Sequence, residues 1–258
     1  MRPEPVGEKQ IGVARRLVSA FLDLLYPPHC VICGQMGAWL CVTCIEKIPW
    51  LEPPLCQRRG RPISKPGLCP HCQDNSSYLT GLRSVSAHMR PLRRAIHALK
   101  YEGTRVLAEP LGDILAECWR RESIPAEVIV PVPLHRARLR QRGYNQSQLL
   151  AEALSKSAAL PIDTSALVRG RNTLSQVGLS HRERWENVWG AFECASTSFC
   201  GSSVLLIDDV CTTGATLEAC AAALLEAGAD RVWALTLTRA LAASGINSDA
   251  TNAPPVQR

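Results

Sequence analysis

Seven of the chain's twelve cysteines fall between Cys30 and Cys72, in a stretch rich in Cys, Pro, Gly and Arg with little apolar periodicity. Such a stretch cannot bury enough apolar surface to fold by itself, so metal has to hold it. Cys30-x-x-Cys33 and Cys41-x-x-Cys44 are two knuckles, followed by a lone Cys56 and by Cys69-x-x-Cys72. A Cys-x-x-Cys turn places two thiolates at neighbouring corners of a tetrahedron, and two such turns complete a zinc site. Cys30, Cys33, Cys41 and Cys44 form a complete set. Cys56 is followed by Gln57, Arg58 and Arg59, so the group Cys56, Cys69 and Cys72 lacks a fourth thiolate. Either His71 or a ligand shared between the groups completes a second site, or these three bind no metal; His71, inside a knuckle, reads more readily as a surface histidine. A disulfide framework would suit an exported domain. The opening MRPEPVGEKQ does not read as a secretory signal, and no apolar run approaches the ~18 residues of a membrane span. A cytoplasmic location is the expectation. Cys118, Cys194, Cys200, Cys211 and Cys220 have no ligand spacing and read as small apolar residues.

Elsewhere the apolar pattern is regular. Val13, Leu17, Phe21, Leu24 and Leu25 recur at helical spacing, until Pro27 and Pro28 end the segment. From Tyr78 onward strands and helices alternate. GLRSVSAHM reads as a strand, RPLRRAIHALKYEG as a basic helix stopped by Gly103, and residues 104–121 as a second helix. EVIVPVPLH is a buried strand, residues 144–160 a helix, SSVLLIDD a strand, Ala215 to Gly228 a helix, and RVWALTLTRA a last strand. This alternation predicts an α/β fold, a parallel sheet with helices on both faces. The predicted layout is an N-terminal helix over 1–28, a zinc ribbon over 29–76, an α/β domain over 77–242 and a disordered tail over 243–258. Residues 168–190 fit neither pattern; their length and polarity suggest a functional lid.

The most informative stretch is VLLIDDVCTTGAT, Val204 to Thr216. Two adjacent carboxylates, Asp208 and Asp209, end an apolar strand, where neither a core nor a helix gains from them. In an open parallel sheet, ligands sit beyond the carboxyl ends of the strands. Val210 to Gly214 lead into a helix N-terminus, where free amides and the dipole favour a phosphate. Thr212 and Thr213 add hydroxyls, and Gly214 lets the backbone approach. Phosphate on one side and carboxylates for a diol on the other describe a ribose 5-phosphate. A capped helix after a charged turn would explain the Thr and Gly but not the paired acids.

VLLIDDVCTTGAT resembles the phosphoribosyl-pyrophosphate (PRPP) motif of type I phosphoribosyltransferases. VPVPLHRARLRQRGYNQSQLLAEAL is similar to the pyrophosphate-loop region of amidophosphoribosyltransferases. With the cysteine module, HALKYEG, TLSQVGLSHRERWENVWGAF and the PRPP motif in this order, the chain resembles the ComF family (competence protein F and its GntX-like relatives). The resemblance runs from Cys30 to about Ala240. It implies the type I phosphoribosyltransferase fold behind a zinc ribbon, here a degenerate double ribbon, and a role in DNA uptake, natural transformation or the use of imported DNA. It also implies PRPP with Mg²⁺ as ligand, single-stranded DNA as a further one, and DNA-uptake proteins as candidate partners.

Carried onto this sequence, the resemblance makes Asp208 and Asp209 the residues that orient the ribose hydroxyls. Cys211, Thr212, Thr213, Gly214, Ala215 and Thr216 wrap the 5-phosphate. Leu134, His135 and Arg136, with Lys100, face the pyrophosphate, Arg136 being counted with the two aspartates as catalytic. Thr173, Gln176, Arg182, Arg184 and Asn187 belong to the lid. A net charge of +6 suits an anionic ligand. Arg90, Arg93 and Arg94 on one helix, and Arg138, Arg140 and Arg142 on the loop after VPVP, form two basic clusters for nucleic acid. The loop is a candidate for pyrophosphate contact as well, and the strand is expected on a surface separate from the phosphate pocket, along Arg90, Arg93 and Arg94. The acceptor of a phosphoribosyl transfer is not legible, so two readings stay open beside DNA handling: an active transferase on a nucleobase or amine, and a non-catalytic PRPP sensor.

Overall fold

The computed structural model describes residues 27–170, 190–196 and 199–241. The expected N-terminal helix over 11–26, the lid residues Thr173, Gln176, Arg182, Arg184 and Asn187, and the tail lie outside the described residues. Contacts divide the chain into two compact units, with the boundary between Lys47 and Ile48. That boundary falls between the two cysteine groups, within the segment expected to be one ribbon.

In the first unit the Cys30 knuckle is a tight turn. Gly34 N–H donates to the Cys30 carbonyl at 2.8 Å, and His29 pairs antiparallel with Met36. The second knuckle begins helix α1 (Val42–Glu46), whose Cys44 faces inward.

The second unit starts with the other cysteine group, where Cys69 precedes the short helix α2 (Pro70–Asp74). The sheet follows: β1 (Gly81–Ala87), helices α3 (Leu92–Tyr101) and α4 (Ala108–Arg121), then β2 (Val128–Pro131). Next come α5 (Arg136–Arg142), α6 (Gln146–Ala158) and the antiparallel pair β3 (Leu167–Arg169) and β4 (Phe192–Cys194). β5 (Ser203–Cys211), α7 (Ala215–Glu226) and β6 (Arg231–Arg239) complete the unit. The main sheet has the order β1-β6-β5-β2, all parallel, as expected from the alternation.

Alternation along β5 explains the layers. Val204 and Leu206 share an apolar cluster with Leu217, Ala221 and Leu224 of α7. Leu205 and Ile207, pointing the other way, are equally buried. α4 and α6 pack on each other and on the sheet. Their axes come close at Gly112, where an added Cβ would lie 2.3 Å from the Cβ of Ala153. The β1 edge is lined by residues 50–51: Leu51 N–H donates to the Val85 carbonyl at 2.8 Å, and Trp50 pairs with Ser86.

Two local features differ from the sequence reading. The basic segment after VPVP is a helix, α5, rather than a loop. None of its residues is buried, so no apolar period marks it. Its ends define it: His135 Nδ1 accepts from the Ala137 amide, and Gly143 closes it in the left-handed region at φ 79°. β5 also runs two residues past the aspartates, to Cys211, because Asp208 and Val210 still pair with Thr236 and Thr238 of β6. On the β2 side the ladder stops earlier. Val132 N–H reaches the Ile207 carbonyl at 3.0 Å, and Pro133 has no N–H to continue. The carboxylates thus stand beside an open notch. β2 and β5 send their helices to opposite faces there, so the notch is the switch point at which such sheets bind ligands.

Candidate functional site

A cleft of about 980 Å³ opens over this notch. Its floor holds Asp208, Asp209, Val210, Cys211, Thr212, Gly214 and Thr216; one wall carries His88, Arg90, Arg93, Arg94, His97 and Lys100, and the other Leu134, Arg138, Ser147 and Arg169.

Lys100, in the last turn of α3, places Nζ 2.6 Å from Asp209 Oδ2, and the Asp209 side chain is 4% exposed. Asp208 Oδ1 accepts from Ser147 Oγ at 2.7 Å and from the Asp209 amide at 2.9 Å. Ser147 is held at the start of α6 by Asn145, whose side chain caps Ser147 N–H and donates to the Val132 carbonyl at 3.0 Å. Burial, and then the Asp209 charge, push the Asp208 carboxyl up to about 7, against the pull of Lys100 and of the Ser147 hydrogen bond. Asp208 therefore titrates near neutrality, and it is poised to gain a partner that stabilises its charge.

The turn between β5 and α7 reaches Gly214 at φ +87°, a left-handed conformation that suits glycine. Its missing Cβ would meet nothing nearer than Cys211 Sγ at 3.9 Å, so here φ rather than space selects glycine. The N–H groups of the first turn of α7 face the same end of the cleft as the aspartates, an arrangement that suits a phosphate. Thr213 Oγ1 is committed to capping, accepting from the Ala215 amide at 3.3 Å. Among the described residues the cleft lining includes Thr212 and Thr216 but not Thr213 or Ala215.

The basic residues divide. Arg90, Arg93 and Arg94 line the same cleft as the aspartates, so the expectation of separate surfaces is corrected. The reason is that α3 runs alongside the carboxyl end of the sheet and brings Lys100 onto Asp209. Arg138 lines the cleft as well, while Arg136 and Arg140 are not among its lining residues. His135 caps α5. Arg142 hydrogen-bonds Gln146 Oε1 and stacks over Tyr101, 5.4 Å from the ring centroid. His88 Nδ1 lies 2.8 Å from Thr238 Oγ1, and burial, with Arg93 and Lys100, lowers its pKa.

Arg169, Ser147 and His88 escaped the sequence reading. Arg169 is 8% exposed, sits over the Phe192 ring at 5.3 Å, and has its pKa lowered by burial and by Arg138. A lone arginine closing a three-residue strand carries no local signature. For Ser147 the only signal was its place at a helix start.

The two cysteine groups assemble as the spacings suggest. The Cys30, Cys33, Cys41 and Cys44 sulfurs lie within 4.8 Å of one another, and so do those of Cys56, Cys69 and Cys72. His71 is not part of either cluster among the described residues; its ring approaches Asn75. Burial raises the Cys30 thiol, but the amides of Cys41, Cys33 and Ile32 outweigh it and bring it down to about 6. Burial likewise opposes, but the amides of Arg59, Cys69 and Arg58 bring Cys56 down to about 7. Burial and Cys69 push Cys72 up to about 12. Each group thus holds one thiol lowered toward neutrality beside one that is raised, on sulfurs gathered around one point, which fits structural zinc.

Two family models match the chain: the double zinc ribbon domain over residues 21–73 and the phosphoribosyl transferase domain over residues 141–247. The DNA utilization protein YhgH of Salmonella typhi is 32% identical over 227 residues, covering 83% of this chain and 99% of that protein. Competence protein F of Haemophilus influenzae is 28% identical over 221 residues, with 78% and 96% covered. Competence protein ComFC of Bacillus subtilis is 29% identical over 210 residues, with 78% and 84% covered. No helix among the described residues is long and apolar enough to cross a membrane. A paired-carboxylate cleft on a parallel sheet, a double ribbon and relatives matched along nearly their whole length bear out the expected resemblance: the chain belongs to the ComF family.

Proposed function

We propose that the cleft binds PRPP with Mg²⁺ and that the protein serves the uptake or use of DNA, holding a single strand along the cationic wall of the same cleft. The observation that carries this reading is the joint placement of Asp208, Asp209 and the turn at Gly214 on the floor of one cleft whose walls carry Arg90, Arg93, Arg138 and Arg169. The paired carboxylates suit two ribose hydroxyls, and the helix start suits the 5-phosphate. Asp208 and Asp209 are the hard oxygen donors available to Mg²⁺, which takes up pyrophosphate charge when bound. Arg90, Arg93, Arg138 and Arg169 do the same work from the protein side. The names of the relatives support the DNA-related role. The cationic wall supports a phosphate-directed, sequence-tolerant grip on the strand.

The test is a titration of PRPP and Mg²⁺ by calorimetry, with pyrophosphate release followed in parallel, with and without a single-stranded oligonucleotide. Tight Mg²⁺-dependent binding without release describes a PRPP-gated DNA-binding protein; release on adding a nucleobase or amine describes a transferase. Asp208→Asn and Asp209→Asn should each weaken PRPP by about ten- to hundredfold, the worth of hydrogen bonds to a charged acceptor at roughly 1.5–3 kcal/mol. Wild-type affinity in the double variant would overturn the reading.

A further inference from the structure

The second cysteine group looks incomplete because arginines stand where a further knuckle cysteine was sought. The structure gives those arginines another task. Cys56, Cys69 and Cys72 are all buried, and Cys56 Sγ accepts from the Arg59 amide at 3.5 Å and the Cys69 amide at 3.3 Å. Arg58 laces the group shut, its Nη1 donating to the Cys72 carbonyl at 3.1 Å and the Asn75 carbonyl at 2.9 Å. Its own carbonyl accepts from Leu82 N–H of β1 at 2.8 Å.

Arg59 points the other way. Nη1 donates to the Thr213 carbonyl, in the turn between β5 and α7, at 3.3 Å, and Nη2 to Glu218 Oε1 of α7, also at 3.3 Å. Glu218 is 2% exposed and further accepts from Ser77 Oγ at 2.8 Å and the Tyr78 amide at 2.9 Å. The Arg59 carbonyl is held by the guanidinium of Arg239, at the end of β6. One residue therefore joins the thiol group, through its backbone, to the turn under the cleft and the first turn of α7, through its side chain. The whole connection lies within the second compact unit.

We propose that Arg59 is a positioning residue that couples zinc at Cys56, Cys69 and Cys72 to the phosphate-binding turn, so that metal binding and ligand binding favour each other. Its backbone is fixed by the thiol cluster, whose Cys56 sulfur takes the Arg59 amide proton. Its side chain holds the Thr213 carbonyl and so fixes the turn that leads into Gly214, which lines the cleft. With three protein thiolates rather than four, this is the metal site that a change at the turn can most readily tighten or loosen. The two affinities are then linked reciprocally, by the same factor in each direction. The ligand side of this proposal rests on the reading that the cleft binds PRPP.

The test uses the full chain in zinc buffers, at high free zinc and after removal of the more labile equivalent, which Cys69→Ser identifies. Hydrogen exchange by mass spectrometry follows the peptide over Val210–Glu218 and needs no PRPP. Zinc removal should speed exchange there by about fivefold or more, the low end of usual coupling factors. Arg59→Met should show the fast exchange at high zinc while keeping both zinc equivalents, and zinc removal should add nothing further. In calorimetry, zinc removal should weaken PRPP by a similar factor in the wild type and not in Arg59→Met. Arg59→Lys, which keeps the charge but has one donor nitrogen in place of the fork, should fall between. Should Arg59→Met lose its fold, Glu218→Gln, which weakens the same clamp from its other end, takes its place. Exchange over Val210–Glu218 that ignores zinc in the wild type overturns the coupling, whatever PRPP does. Zinc-dependent exchange in a protein that binds no PRPP leaves the coupling standing and removes the PRPP reading instead.

Discussion

Replacing Lys100 by Met tests whether the aspartate pair is the desolvated, charge-strained site that the structure describes. Lys100 Nζ is 2.6 Å from Asp209 Oδ2, with the two side chains 19% and 4% exposed. Methionine keeps the length of the chain and removes the charge, leaving Asp209 buried beside Asp208 without its cation. Breaking a buried pair by removing one partner costs about 3–5 kcal/mol. Lys100 is partly open to the cleft, where water can partly substitute for it, so about 3 kcal/mol is the fitting end of that range. For a unit of this size each kcal/mol moves the melting temperature by about 2–4 °C, which makes the expected fall about 6–12 °C. The assay is thermal unfolding by circular dichroism at pH 8, where Asp208, with its pKa raised to about 7, is ionised. Lys100→Met/Asp209→Asn should recover most of the loss, because the orphaned charge is gone. The pH dependence has a definite sign. A carboxyl raised from 3.8 to about 7 keeps a proton in the folded state that the unfolded chain has lost, so stability declines as pH climbs through that window. Lys100 is one of the groups holding Asp208 down, so the deficit of Lys100→Met should be smaller at pH 5.5 than at pH 8. A variant melting within about 1 °C of wild type, or a double variant no better than the single one, would refute the account of a desolvated pair.

Four further outcomes follow from particular contacts. Cys41→Ser should remove one zinc equivalent by metal analysis and unfold the first compact unit while the second melts as in wild type. Gly60→Ala should lower the urea midpoint by the equivalent of about 1–3 kcal/mol, since Gly60 sits at φ +58° and a Cβ would lie 2.4 Å from the Leu82 carbonyl oxygen. PRPP affinity should rise with pH and level off above about 7 as Asp208 becomes charged, falling about tenfold per unit below it in calorimetry. Arg138→Ala, inside the cleft, should weaken both PRPP and single-stranded DNA; Arg140→Ala, outside it, should only flatten the DNA salt dependence, by about 0.7 in log–log slope.

The sequence made the fold legible wherever burial imposes a period. β5 and β6 are apolar runs because both faces of the sheet are covered, and α3, α4 and α6 show their buried stripes plainly. The aspartate pair was legible for the opposite reason, as charge where burial should exclude it. α5 was not legible because it buries nothing and is defined by a cap and a glycine stop. Arg169 and Ser147 were hidden because their roles come from elements that meet only in the folded chain: β3 beside the cleft, and α6 above β5. Arg59 was read as the place of an absent thiolate. Its partners, Thr213 and Glu218, lie more than 150 positions away, beyond the reach of any spacing argument.

Charge in the cleft decides what kind of ligand it awaits. Arg94 is forked onto Glu102 at 2.8 and 3.0 Å, and Lys100 is spent on Asp209. Arg90, Arg93 and Arg138 make no ion pair among the described residues, although they line one cavity with Arg169. Burial, and after it Arg138, lowers the pKa of Arg169, and burial, and after it Arg93 and Lys100, lowers that of His88. Guanidinium groups that line a cavity with no ion pair of their own among the described residues, as Arg90, Arg93 and Arg138 do, cost stability, and an arriving anion offsets that cost. A single phosphate would occupy the turn at Gly214 and leave the walls as they were. A ligand that settles the walls has to carry negative charge at two separated places, one at the helix start and one between α3 and α5. PRPP has that form, with its 5-phosphate and its pyrophosphate at opposite ends of the ribose, and a single strand entering along α3 would meet whatever positive charge PRPP leaves exposed. On the proposed reading, the sugar phosphate would fill the cleft first and the strand second, and the two anions would not compete for one arginine.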